Sequence, residues 1–500
     1  MPQMTLRAVV CGFLLGGVLS ITNLYVGAKT GWSLGVGITS VILAFVIFKA
    51  LGKVGLGRNY HVLENNIVQS IATSAGYMTS PLIASMPAYM ILTDSVIPWG
   101  PMIIWLIVLA ILGVLFAFPL KRRFINDEQM PFPEGRAAGV VLDTLHSEGS
   151  GASVLPAKLL VIFAIIGGVL KTGQAHTVLE RIRLGFLAVP EYLDAWYYRL
   201  AESRDWVIPS IMGTPLKELT VRPELDIAMI GAGGLMGIRT GVSVLIGAIL
   251  NYCVLAPIMI QRGDITPEVI EDGVARFGFR AIVTWSLWGG VAMMTTASLL
   301  AFFAKPQMLI KAFRGIGGGA KRRSADCLRH IELPLWVSLI GVPIVGLITV
   351  LLARWMFGVD YLMGAVAVPL VFVFTLIAVN STGLTSITPT GPLGKITQLT
   401  YGVLAPGNVQ TNIATAAITG EVSSSTANLI QNIKPGYMLG AKPRLQAMGH
   451  CIGAVSGALF SVAIFYPLFL RDNPHGLITA QYPYPAATVW KAVAELLTKG

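Results

Sequence analysis

The segment "ENNIVQSIATSAG", Glu64 to Gly76, sets one carboxylate, three amides and several hydroxyls between long apolar runs. Asn65 and Gln69 stand four residues apart, so on a helix they share one face, where their amides offer donors and acceptors together. An ionised carboxylate at the centre of a bilayer costs roughly 2.5–3.5 kcal/mol on insertion scales, so a chain keeps one there only where a partner or a function compensates. Glu64 therefore has two readings: it lines a solvated path, or it caps a helix at the membrane interface.

A second polar run extends from Asn380 to Arg444 and is rich in Gly, Pro, Thr, Asn and Gln. Within it Glu421 lies in "AITGEVSSSTANL", with glycine before it and hydroxyls after it. That pattern suits a helix start facing a water-filled cavity, where a protonatable carboxylate could carry a coupling ion; helix capping by the serines is the rival reading. A backbone as interrupted as this composition implies cannot face lipid, because each unpaired amide there costs several kcal/mol. The run must be buried in protein or line water.

The expected lining of such a path is Asn65, Asn66 and Gln69 together with Asn380, Thr388, Thr390, Gln398, Tyr401, Asn408, Gln410, Asn412, Asn428 and Gln431. Glu64 or Glu421 is the candidate proton carrier, since removal from water favours the neutral form of a carboxyl group. Arg239, inside "GAGGLMGIRTGVSVLIG", could clamp a substrate carboxylate in bidentate fashion. It could equally snorkel to a headgroup or pair with a structural acid.

Other apparent motifs fail on context. "GAKTG" at Gly27 lacks the earlier glycine and the Gly-Lys pair of a phosphate loop, and "GIGGGA" at Gly315 has no strand or βαβ unit around it. There is no HExxH and no GxSxG, and the six histidines are isolated, so hydrolase chemistry has no support. The four cysteines are far apart without a CxxC, which indicates neither a zinc site nor a disulfide framework. No resident metal and no tightly bound cofactor is implied.

The elements that must position these groups follow from composition. Of 500 residues 54% are hydrophobic and 12% charged, against about 25% charged in an ordinary soluble domain, and several apolar runs approach the ~20 residues a helix needs to cross a bilayer. An all-α polytopic membrane protein is expected, a helical bundle with broken or re-entrant helices and pseudo-symmetric repeats. Apolar windows place spans near residues 6–28, 31–51, 62–93, 98–120, 155–172, 225–258, 281–304, 333–353, 360–380 and 449–470. Pro81 and Pro87 should break the third, and the sixth is too long for one straight crossing. The first window has too long an apolar core for a cleavable leader and reads as a retained span.

The net charge of +11 is concentrated in short loops, "KRRF" from Lys121 and the segment from Lys305 to Arg329, which the positive-inside bias assigns to the cytoplasm. With a cytoplasmic N-terminus the first four spans agree with the basic loops at Lys49 to Arg58 and Lys121 to Arg123. The two halves then join in register only if Glu224 to Met259 crosses twice, or if a further crossing lies between Gln174 and Val207. Glycines at 12 and 16, at 233, 237 and 241, and at 449, 453 and 457 are spaced for close helix packing. "SITNLYVGAKTGW" followed by "NNIVQSIATSAG" is echoed by "SITPTGPLGKITQ" followed by "TNIATAAITGEVSSSTANLIQN", which gives repeat-like regions at 20–95 and 380–440. Paired interruptions of this kind point to a transport site at a repeat interface. "PFPEGRAAGVVLDTLH" opens with prolines and Glu134 and becomes an amphipathic interfacial helix.

Together, "LENNIVQSIATSAG" (Leu63 to Gly76), "MPAYMIL" (Met86 to Leu92), "PFPEGRAAGVVLDTLH" (Pro131 to His146), "GAGGLMGIRTGVSVLIGAIL" (Gly231 to Leu250) and "SSSTANLIQNIKPGYMLGAKPRLQAMGHCIG" (Ser423 to Gly453) resemble the oligopeptide transporter family. The likeness is greater to its prokaryotic branch and to the plant yellow stripe-like metal-chelate carriers than to the fungal peptide members. It covers nearly the whole chain in the family's order, departing at Arg136, where the family has a small residue or Thr. The resemblance implies one transporter-type domain over residues 1–500 in a cell membrane, the prokaryotic inner or plasma membrane. It also implies a secondary carrier, proton-coupled, that imports small peptides or peptide-like metal chelates. The family continues past Tyr482 to Leu496 into further crossings, so this sequence reads as a fragment or a short variant. A passive channel for small polar solutes is the second reading and a membrane-embedded enzyme the third. The sequence is silent on oligomeric state.

Overall fold

The Thr5 hydroxyl accepts the Ala8 N–H at 3.3 Å and so starts helix α1 (Leu6–Thr30), which ends where Gly31 turns the chain at φ 74°. The computed structural model describes residues 2–53, 55, 60–147, 154–175, 179, 188–204, 206–225, 230, 238–267, 269–271, 274–303, 327–471, 473–479 and 482–499. By internal contacts the chain falls into two compact units, residues 1–155 with 294–500 and residues 156–293.

In the first unit α2 (Gly37–Lys53) and α3 (Val62–Tyr77) follow α1. The third apolar window then breaks as its prolines predict, into α4 (Ser80–Ile83) and α5 (Ser85–Thr93), with Ala84 between them at φ −129° and ψ −85°. Next come α6 (Trp99–Lys121), continued by a π-helical turn at Arg122–Asp127, and α7 (Pro133–His146). The later part of the unit supplies α8 (Leu335–Phe357), α9 (Tyr361–Thr385), α10 (Thr390–Leu404), α11 (Val409–Leu439), α12 (Pro443–Ile464) and α13 (Pro485–Lys499). The all-α class is as expected. Among the described residues six helical stretches are long and apolar enough to cross a membrane: 6–30, 99–127, 241–261, 335–357, 361–385 and 443–470.

One expectation about the backbone changes. The polar run from Asn380 to Arg444 is interrupted only at 386–389, 405–408 and 440–442; α11 is continuous over 31 residues, about 46 Å at 1.5 Å per residue, with Pro435 in its last turns. The hydroxyls explain how so polar a helix can be buried. Thr415 donates to the Thr411 carbonyl at 2.7 Å, Thr426 to Val422 at 2.8 Å and Thr397 to Leu393 at 3.1 Å. Each hydroxyl is satisfied by its own preceding turn, which needs no water.

The centre of this unit is α11, which packs against α3, α5, α6, α7, α9 and α10 and is buried at every position from Thr411 to Gly436. The apolar core around its first half includes Leu82, Met86, Trp105, Phe357, Ile413 and Phe465. Helix α3 is held just as tightly, and by glycines. A Cβ on Gly12 of α1 would lie 2.9 Å from Ile71 Cβ, and one on Gly453 of α12 would lie 2.7 Å from Ser74 Cβ. Small residues on both flanks therefore let a polar helix be enclosed by backbone on two sides.

The second unit contains helices at Val154–Gln174, Ala195–Arg204 and Phe279–Phe303, and a helical stretch running from Ile238 through a π-helical segment to Gln261. Two short antiparallel hairpins pair Ser210–Ile211 with Thr214–Pro215 and Val269–Glu271 with Val274–Arg276. A small core forms around Leu219, Ala256, Ile265 and Ile282. Apolar side chains such as Leu245, Ile249 and Leu250 point outward from its helices, as lipid-facing residues do. Gly231 to Gly237, and with them glycines 233 and 237 of the expected close-packing series, lie outside the described residues, as does the basic segment from Lys305 to Asp326.

Candidate functional site

Helices α3 and α11, far apart in sequence, meet through side chains. Gln69 Nε2 donates to Asn432 Oδ1 at 3.1 Å, while Gln69 Oε1 accepts from Asn66 Nδ2 at 3.3 Å. Helix α12 closes the cluster: Gln446 Nε2 donates to the Asn432 carbonyl at 2.8 Å, and Ser74 Oγ donates to the His450 carbonyl at 2.7 Å. All of these residues are buried. Asn65, on the neighbouring face of α3, donates to the Val41 carbonyl at 3.2 Å.

Next to this cluster Gln431 Nε2 donates to Glu134 Oε2 at 2.7 Å. Glu134 is half-buried at the start of α7, and its own backbone N–H donates to Ser386 Oγ at 2.7 Å. The acid that reads in sequence as an ordinary first-turn residue of an interfacial helix thus reaches the central helix. The signal for it was present in "PFPEG". Phe132, fully buried, holds φ 40° immediately before Pro133, and a non-glycine residue is kept in that region only when its surroundings over-determine it.

A second polar group lies between α10, α11 and α13. Thr397 and Thr419 share a hydroxyl contact of 2.6 Å, Asn412 Nδ2 donates to the Gln398 carbonyl at 2.7 Å, and Gln398 Nε2 donates to the Trp490 carbonyl at 3.1 Å. Tyr401 donates to the Met363 carbonyl at 2.6 Å, and Thr388 shares a 2.8 Å contact with Thr382. Thr390, at the start of α10, and Asn380 are half-buried, and Asn428 is buried on α11, donating to Ser424 Oγ at 3.3 Å.

Several buried atoms in and beside these two groups have no protein partner among the described residues, among them the acceptors Asn65 Oδ1, Asn66 Oδ1, Gln398 Oε1, Asn412 Oδ1, Gln431 Oε1 and Gln446 Oε1 and the donor Asn432 Nδ2. A buried acceptor without a donor costs about 1–3 kcal/mol, so a fold that keeps several of them suits water or a ligand bearing N–H groups.

The two carboxylates differ sharply. Glu64 is fully buried and its oxygens are occupied: Arg7 binds it in bidentate fashion at 2.9 and 2.6 Å, Thr5 Oγ1 donates at 2.5 Å and the His61 N–H at 3.1 Å. That is a helix cap tied to α1. Glu421 is 6% exposed in the middle of α11 and has no hydrogen bond or ion pair among the described residues.

The remaining candidates lie elsewhere. Asn408 caps α11, its Oδ1 accepting the Thr411 N–H at 2.9 Å, and both Asn408 and Gln410 are exposed beside Leu92, Thr93 and Gly407 in a surface depression. Arg239 is an exposed residue of the second unit, near the start of its helix Ile238–Ala248. Among the described residues no group of three His, Cys, Asp or Glu side chains is arranged to hold a metal ion.

The chain is similar to the iron-phytosiderophore transporter yellow stripe 1 of Zea mays, at 22% identity over 96% of this chain and 74% of that protein. Identity is also 22% with the metal-nicotianamine transporter YSL2 of Arabidopsis thaliana, over all of this chain and 78% of that protein. It is 23% with YGL114W of Saccharomyces cerevisiae, over all of this chain and 82% of that protein. The family described as OPT oligopeptide transporter protein matches residues 3–500. With a match of that extent and a multi-pass helical bundle around a polar centre, this chain belongs to the OPT oligopeptide transporter family.

Proposed function

We propose that the chain is a secondary carrier importing small peptides or peptide-like metal chelates, driven by protons, with Glu421 as the group that takes up and releases the proton. The observation that carries this reading is Glu421 itself, enclosed at mid-helix without a hydrogen bond or ion pair among the described residues. A carboxylate in such surroundings is costly as an anion, so its charge must change when water or cargo enters, and that links occupancy to proton binding. The orphaned acceptors of α3 and α11 suit the N–H groups of peptide-like cargo. Family membership supports transport as the activity, and the relatives named for metal-nicotianamine and iron-phytosiderophore transport support a chelate as one form of cargo. The membrane would be a prokaryotic inner or plasma membrane.

Glu64, also a candidate carrier of the proton, is the weaker one because Arg7 already neutralises it. The test is uptake of trialanine or iron-loaded nicotianamine into proteoliposomes under an imposed pH gradient. Accumulation above the external level, abolished in Glu421→Gln and kept in Glu64→Gln, is the expected result. Equilibration without accumulation would instead describe a passive channel, and unchanged driven uptake in Glu421→Gln would remove Glu421 from the mechanism.

A further inference from the structure

Helix α10 begins inside the bundle. Gly420 of α11 faces its first residue, since a Cβ there would lie 3.8 Å from the Thr390 carbonyl oxygen. From that level α11 runs on through Glu421 to Leu439, 19 more residues, about 28 Å of helix. The 15 residues of α10 make only about 22 Å, less than the ~30 Å of a hydrocarbon core. Its N-terminus, the positive end of its dipole, is therefore an internal one, and no side chain caps it.

Lys395 stands in the second turn of this helix. It is 4% exposed and has no ion pair or hydrogen bond among the described residues. Its ammonium folds back toward the helix start: a Cβ on Gly391 would meet Lys395 Nζ at 3.6 Å and, outside its chain neighbours and its own helix backbone, nothing else within 4 Å. Residues 388–392 around that space are half-buried. A lysine is favourable at the negative end of a helix and unfavourable at the positive end. Burying one there, with open space beside it, suits an anion that the ammonium and the Gly391 N–H can hold together; the Thr390 and Leu393 N–H groups already donate to the Thr388 and Pro389 carbonyls, and Pro392 has none. Internal helix starts bind anionic substrate groups in other carriers for this reason.

We propose that Lys395 and the first turn of α10 form the binding site for a carboxylate of the cargo. The proposal rests on the carrier reading and makes it narrower. Cargo must bear a free carboxylate, as peptides with an open C-terminus and amino-acid-derived chelators do, and it docks one residue from the level of Glu421. C-terminally amidated peptides are poor cargo.

The experiment uses the full chain in nanodiscs and proteoliposomes, with trialanine, trialanine amide and iron-loaded nicotianamine as probes. Labelling of Lys395 by a neutral amine-reactive ester is read by mass spectrometry of the peptide that carries it, and uptake of each probe is measured in parallel. At least one free-acid probe should slow the labelling fivefold or more while the amide does not. Uptake of trialanine should exceed that of its amide at least tenfold in the wild type and about equally match it in Lys395→Gln or, should that variant fold poorly, Lys395→Met. Protection without uptake of any probe would overturn the carrier reading and keep the site. Uptake that keeps its acid-to-amide ratio in both variants would overturn the site and keep the carrier. Absence of protection by both acids, or equal protection by inorganic phosphate and the amide, would overturn the carboxylate assignment.

Discussion

Gln69 of α3 and Asn432 of α11, 363 residues apart in the chain, are joined by a 3.1 Å hydrogen bond. Both side chains are buried, so removing one leaves the other's polar atom without a partner, at about 1–3 kcal/mol. Gln69→Ala and Asn432→Ala should each lower thermal stability in detergent. Because they act on one bond, the double variant should lose less than the two losses added, with a coupling of about 0.5–3 kcal/mol. Strict additivity would mean that the two helices are held together by other contacts.

The glycine flanks of α3 make a second prediction. A methyl at Gly453 would sit 2.7 Å from Ser74 Cβ and 2.9 Å from the Ile71 carbonyl carbon, and backbone cannot yield as a side-chain tip can. Gly453→Ala should cost about 1–3 kcal/mol through overpacking. At Gly241, in the second unit, a Cβ meets nothing within 4 Å, and Gly241→Ala should be neutral or stabilising by up to about 1 kcal/mol. Monodisperse yield and apparent melting temperature of the two variants check this, and equal behaviour would contradict it.

Most of the span positions are legible in the sequence because hydropathy alone requires them, and the break near Ala84 follows from Pro81 and Pro87. The continuity of α11 is not legible. Its Gly, Ser, Thr and Asn residues read as interruption, and only the surrounding helices, by excluding water, make the hydroxyls turn back onto their own carbonyls. The same limit explains Glu134 and Lys395. Each looks like a routine helix residue until the tertiary fold brings α7 against Gln431 and sets the start of α10 beside Gly420 of α11. Sequence spacing defines a face of a helix, but the depth at which a helix begins belongs to its neighbours.

The Arg7–Glu64 pair separates structural from functional acids. Breaking a fully buried pair costs about 3–5 kcal/mol, and less here because Arg7 is one-third exposed. Arg7→Ala should destabilise by roughly 2 kcal/mol, since it strands a buried carboxylate. Adding Glu64→Gln should restore part of that stability while proton-driven uptake persists in the double variant. Melting curves and uptake on the same preparations check both parts. Loss of coupling in the stable double variant would return Glu64 to the transport mechanism.

Gly35 offers a way to displace Glu134 without altering it. A Cβ there would lie 2.9 Å from Glu134 Cδ, so Gly35→Ala must push the carboxylate away from its place beside α11 and lengthen the 2.7 Å bond from Gln431. If Glu134 merely satisfies Gln431, the cost is one hydrogen bond to a charged group, about 1.5–3 kcal/mol of stability, with uptake per folded molecule unchanged. If that contact positions α11 for the transport cycle, Gly35→Ala and Glu134→Ala should both reduce uptake severalfold in preparations whose folded fraction is normal, and Gln431→Leu should do the same. Uptake normalised to folded protein distinguishes the outcomes. The second is expected, because the contact ties the strained PFPEG turn, with Phe132 at φ 40°, to the helix that carries Glu421.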